Sequence, residues 1–124
     1  MGLNQTVTLL DTNAILYLLG GRVVSSLGEG RYIVSIISEI ELLSYPGLSS
    51  EEEKTIRSFL SEIEIIDLDQ DIKEMTIYLR KNYNLKVPDA IIAATAKIYE
   101  AAIITNDVKF AKIPDLEVRP IVLR

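Results

Sequence analysis

Two rhythms of hydrophobic and polar positions alternate along the chain: short unbroken apolar runs, and longer stretches with apolar residues three and four apart. Val7-Thr8-Leu9-Leu10 predicts a buried strand. Asp11-Thr12-Asn13 then supplies capping chemistry for a helix over 14–19, which Gly20-Gly21 stops. A short helix over 22–27 closes at Gly28, and 31–35 predicts a second strand. A helix over 36–45 ends at Pro46-Gly47. Ser49 or Ser50 caps the next helix, with Glu51, Glu52 and Glu53 against the positive end of its dipole and Ile56, Phe59, Leu60 and Ile63 as its apolar stripe. A third strand over 64–68 leads into a helix over 69–82 that carries Ile72, Met75 and Leu79 on one face. Pro88 opens a helix reaching 100, because proline suits a first turn. A fourth strand over 102–105, a short helix over 107–112 and a last strand over 118–123, broken by Pro120, complete the pattern.

Strands alternating with helices imply an α/β fold: a single domain over 1–124 with three α/β/α layers around a mostly parallel sheet of four to five strands. Ligands of such sheets bind beyond the carboxyl ends of the strands, where the strand order reverses. That rule directs attention to Asp11, after the first strand, and to Asn106 and Asp107, after the fourth. The small residues Ala90, Ala93, Ala94 and Ala96 should let their helix lie close to the sheet and bring Asp89 toward Asp11.

Composition narrows the chemistry. The 124 residues include no cysteine and no histidine, which removes thiolate sites, serine–histidine hydrolysis, histidine-based ribonuclease chemistry and nearly every zinc site. Thirteen Lys and Arg against 18 Asp and Glu leave a net charge of −5, so a simple basic coat for nucleic acid is not expected. No apolar run approaches the roughly 20 residues of a membrane helix. A cytoplasmic protein without membrane contact is the expectation.

Each acid has an ordinary explanation when taken alone. Asp11 and Asp107 suit helix N-caps, and Asp89 lies in a first turn. Glu41 sits among Ile36, Ile37, Ile40, Leu42 and Leu43, which predicts a widely buried helix. Glu39 is about 200° away around that helix, so the two glutamates cannot share one site. Together, acids gathered on the ligand edge would repel one another and raise their pKa values. No arginine-rich segment lies near enough in sequence to neutralise them. A hard divalent cation, Mg²⁺ or Mn²⁺, would do so with oxygen ligands, and it suits phosphoryl chemistry.

The segments Leu10-Asp11-Thr12-Asn13, Ser35 to Glu41-Leu42-Leu43, Pro88-Asp89-Ala90-Ile91-Ile92-Ala93-Ala94-Thr95-Ala96 and Thr105-Asn106-Asp107-x-x-Phe110 together resemble a PIN domain. More narrowly, they are similar to the ribonuclease toxins of VapBC-type toxin–antitoxin pairs, in the same order and over essentially the whole chain. The resemblance implies an endoribonuclease dependent on Mg²⁺ or Mn²⁺, with Asp11, Glu41, Asp89 and Asp107 as catalytic acids. Asp11, Asp89 and Asp107 would hold the metal, and Thr12, Asn13, Thr105 and Asn106 would be supporting polar groups. Glu41 would orient the attacking water or hold a second ion. Ile40 departs from the small or hydroxyl residue usual before the Glu-Leu pair, and Glu39 competes for the role. The six-residue step from Ser35, with Ser38 between, favours Glu41. The implied partners are an RNA substrate, a cognate antitoxin and a second copy of the chain. The helix over 14–19, apolar all round, supplies a candidate face for the two protein partners.

Two rival readings stand beside this one. A catalytically silent PIN-like module would bind a partner only. A phosphoaccepting receiver-type domain would use Asp67, after the third strand, but should carry paired acids after the first strand and a lysine after the last. Arg80, Lys81 and Lys86 around Tyr83 read as solvated charge. Lys109 and Lys112 follow Asp107 and could hold phosphates that flank a cut.

Overall fold

The computed structural model describes residues 6–21 and 27–123. Five parallel strands, β1 (Val7–Leu10), β2 (Arg31–Ser35), β3 (Glu64–Ile66), β4 (Ala102–Ile104) and β5 (Val118–Arg119), form one sheet in the order β3-β2-β1-β4-β5. The helices are α1 (Thr12–Leu19), α2 (Ile36–Ser44), α3 (Ser50–Ser61), α4 (Gln70–Tyr83) and α5 (Val87–Ile98), with a 3₁₀ helix over Val108–Lys112. The order runs outward from β1 in both directions, so the switch point lies between β1 and β4.

The pleat divides the core in two. Leu9 and Ile33 turn to one face with Ile72, Leu79 and the buried side of α5, while Leu10 and Val34 turn to the other with Ile15, Leu42, Ile56 and Leu60. Burial on both faces explains why the strands read as unbroken apolar runs. Gly30 precedes β2 at φ +133°, where an added Cβ would stand 3.0 Å from the Thr6 carbonyl. That close approach lets the Arg31 amide donate to the same carbonyl and start the β1–β2 ladder.

Element boundaries move where side chains claim the backbone. Asp11 caps α1, so the helix begins at Thr12 rather than at 14. β3 stops at Ile66, short of the expected 68, because the chain turns to let Asp69 cap α4 through the Ile72 amide. β5 ends before Pro120, which lacks an N–H, and the Ile121 amide is taken by Asn106 instead of a strand neighbour. α5 stops at Ile98, since Glu100 adopts a left-handed conformation at φ 51°. The helix expected over 22–27 falls largely on residues outside those described.

α2 differs from its expectation. Its fully buried residues are Ser38 and Leu42, and Ile40 is 55% exposed, so the buried stripe is narrow rather than wide. α1 also has a sided character, with Ala14 and Ile15 buried and Leu16 exposed. α5 conforms closely. Ala90, Ala93, Ala94 and Ala96 are all inaccessible, and the helix packs against β2, β4 and α4. Enlarging Ala93 to leucine should push α5 off the sheet and cost about 1–3 kcal/mol, measured by urea unfolding of the purified variant.

Candidate active site

Asp11 leaves β1 at the switch point, and its carboxylate is the most deeply placed acid of the site, 6% exposed. Local chemistry holds it there. One oxygen accepts the Ala14 amide at 2.7 Å, which caps α1, and the other accepts the Thr105 hydroxyl from the end of β4. Thr105 accepts in turn from the Asp107 amide at 2.9 Å, so a single hydroxyl ties the two loops on either side of the switch point. Burial pushes the Asp11 carboxyl above its ordinary value. The bonds from Thr105 and Ala14 oppose that shift, and the charges of Asp107 and Asp89 add to it.

A cleft of about 580 Å³ opens over these residues, walled by Asp11, Thr12, Asn13, Glu41, Asp89, Asp107 and Lys109, with Leu16, Tyr45 and Phe110 among its apolar lining. All four predicted acids therefore border one cavity. Glu41, not Glu39, belongs to it, and its carboxylate accepts the Thr12 hydroxyl at 2.6 Å. Thr12 has one proton to give and gives it to the carboxylate. The Ser38 hydroxyl, 2.9 Å away and fully buried, must then donate to Thr12. Ser38 thus steadies Glu41 through Thr12. Its only trace in the sequence was its place within the Ser35-to-Glu41 step.

The remaining polar positions divide. Asn13 borders the cleft at its exposed rim. Asn106 does not border it: its amide donates to the Ile121 carbonyl at 3.1 Å and accepts the Ile121 amide at 2.7 Å. It clamps the chain after β5, which corrects the expectation of a supporting group at the site. Asp67 follows β3 on the sheet's outer edge, exposed and two strand spacings (roughly 10 Å) from β1. That position separates it from the cleft and removes the geometric basis of the receiver-type reading.

The expectation of an uncompensated acidic cluster also needs correction. Lys109 Nζ lies 2.8 Å from Asp89 and 3.3 Å from Asp107. Its bond to Asp89 first, and that to Asp107 next, hold the ammonium above its usual pKa. Sequence separation hid this contact, since Asp89 and Lys109 are 20 positions apart. As they stand, no three acidic side chains among the described residues converge closely enough to form a ready-made metal site. The donor set nevertheless suits a hard cation: oxygen atoms only, with a lysine ammonium already standing as a cation between two of the carboxylates. No helix among the described residues is long and apolar enough to cross a membrane.

The PIN domain family model matches residues 8–116. A chain of a toxin–antitoxin complex from Klebsiella pneumoniae is 34% identical, with 88% of this chain and 94% of that one covered and a TM-score of 0.75. A chain of VapBC-1 from nontypeable Haemophilus influenzae is 26% identical over 93% of this chain and 98% of that one, with a TM-score of 0.72. The fold is shared as well by a chain of VapBC2 from Rickettsia felis, bound there to a promoter DNA fragment, at 21% identity, 93% and 98% coverage and a TM-score of 0.78. Among curated proteins none matches. Family match and structural likeness extend over nearly the whole fold, and on that ground the chain belongs to the PIN domain family, whose members are typically nucleases.

Proposed function

We propose that the chain is an endoribonuclease, dependent on Mg²⁺ or Mn²⁺, that acts as the toxin of a toxin–antitoxin pair. The observation that carries the reading is the meeting of Asp11, Glu41, Asp89 and Asp107 around one cleft at the sheet's switch point. Asp11, Asp89 and Asp107 would hold the metal. A bound divalent ion supplies Lewis-acid stabilisation of charge on the phosphate oxygens and lowers the pKa of water. The chain's own groups do the rest. Glu41, fixed by Thr12 and Ser38, orients the attacking water and accepts its proton. Thr105 keeps Asp11 and Asp107 at a constant spacing. The apolar side chains of Leu16 and Tyr45 give a base a surface to rest on.

The relatives from Klebsiella and Haemophilus come from toxin–antitoxin complexes, which supports a protein antitoxin as partner. The exposed Leu16 on α1 and Ile40 on α2 are apolar contacts suited to that antitoxin or to a second copy of the chain. The alternative of a silent binding module differs in one measurable respect: it would not cut RNA.

Purified protein should cleave single-stranded RNA in millimolar Mn²⁺, and Asp11→Asn or Asp89→Asn should slow cleavage at least about 100-fold, followed on end-labelled RNA. An intact RNA after prolonged incubation would decide for the silent module. A second outcome concerns stability. The raised Asp11 pKa means that ionised Asp11 opposes folding at neutral pH, an effect absent at pH values below its unfolded value near 3.8 and growing as pH rises through the folded one. Without metal, Asp11→Asn should therefore melt roughly 2–5 °C above wild type at pH 7, with the gap closing as pH falls. Millimolar Mn²⁺ should raise the wild-type Tm and leave that of Asp11→Asn nearly unchanged.

A further inference from the structure

Of the described side chains that line the cleft, Lys109 alone is cationic. Its ammonium touches Asp89 and Asp107 at 2.8 and 3.3 Å, so it stands where a cation shared by those two carboxylates would stand. We infer that Lys109 is the exchangeable counter-ion of the cleft: it holds Asp89 and Asp107 until a divalent cation takes them, and once released it grips a phosphodiester of the bound strand. This inference rests on the metal-dependent nuclease reading above and assigns that reading a coupling it does not otherwise contain.

Three features support the exchange. A divalent ion bound to these carboxylates at about 2.1 Å would meet the ammonium at repulsive range, so both cannot occupy the same oxygens. The Lys109 side chain is 48% exposed, and ion pairs with that much solvent contact are weak enough to open readily. Its root, in contrast, is fixed. The Lys109 amide donates to Asp107 Oδ1 at 3.0 Å, and the next residue, Phe110, is buried in the core. The ammonium can therefore leave the carboxylates without leaving the cleft mouth, where a phosphate passing over the acids would lie.

Linkage then requires reciprocity. A metal that frees Lys109 favours nucleic acid, and nucleic acid that occupies Lys109 must favour metal by the same factor. A lysine serving only as a fixed structural pair would weaken metal binding equally with and without nucleic acid.

Calorimetric titration of the full chain with Mn²⁺, alone and with a phosphorothioate-linked 2′-O-methyl oligonucleotide that resists hydrolysis, reads this coupling directly. In wild type the oligonucleotide should tighten the Mn²⁺ Kd several-fold. Lys109→Met should bind Mn²⁺ about three- to tenfold more tightly than wild type without oligonucleotide, and should gain clearly less than wild type when it is added, the remainder being the metal's own contact with a phosphate. Lys112→Met removes the same charge from the same 3₁₀ helix, and Lys112 forms no ion pair with these acids. It should keep the wild-type coupling. Equal Mn²⁺ affinities for the two variants, no coupling in wild type, or coupling undiminished in Lys109→Met would overturn the role of Lys109 and leave the nuclease reading standing. A wild-type chain that takes up no Mn²⁺ at millimolar concentration would instead remove the metal reading, and this inference with it.

Discussion

A carboxylate buried at the end of a central strand is costly to keep ionised, and the architecture around Asp11 is arranged to meet that cost. Its two oxygens accept from α1 and from Thr105, so the same side chain starts a helix and clasps the neighbouring strand end. Thr105 passes the constraint to the Asp107 amide, and Asp107 in turn caps the 3₁₀ helix that carries Lys109. One buried acid is thereby tied to Asp107 through Thr105 and, by way of Lys109, to Asp89. Burial and neighbouring negative charge still leave it under strain, which a cation can relieve.

The scaffold delivers the acids from four separate elements. Asp11 and Asp107 arrive from the ends of β1 and β4, which are paired in register. Asp89 arrives from the first turn of α5, and its depth depends on alanines that allow the helix to approach the sheet. Glu41 comes from α2 and is the most exposed of the four acids, so its orientation rests on the Thr12 and Ser38 hydroxyls rather than on packing. The site thus combines a rigid side, built on strand ends and a tightly packed helix, with a hydrogen-bonded side facing solvent.

Away from the cleft, the opposite end of the sheet is closed by a separate device. Arg31 at the start of β2 makes a two-pronged bond to Glu64 at the start of β3 and lies over the Tyr99 ring at 5.5 Å. The Arg31 and Glu64 charges are paired with each other within the fold. At the cleft end, four carboxylates face one lysine. The asymmetry separates an end where opposite charges are matched from one where carboxylates outnumber the cation.

Periodicity and capping made most of this legible in advance. Strand and helix types follow from apolar runs, from Asp11 and Ser49 before helices, and from Pro88 within a first turn, because those signals act over a few residues. The acids, too, could be named from their motifs, and their place on one edge follows from parallel α/β topology. What remained out of reach depends on contacts between residues distant in sequence. The spacing from Ser35 already favoured Glu41 over Glu39, but the Thr12 bond that fixes Glu41 needed α1 and α2 to meet, and the diversion of Asn106 to Ile121 needed the path of the chain after β5. The neutralisation of Asp89 by Lys109 needed α5 and the 3₁₀ helix to meet. Short-range propensities name the elements and the candidates; which side chains face each other is settled by packing, since only the folded backbone brings their atoms within bonding distance.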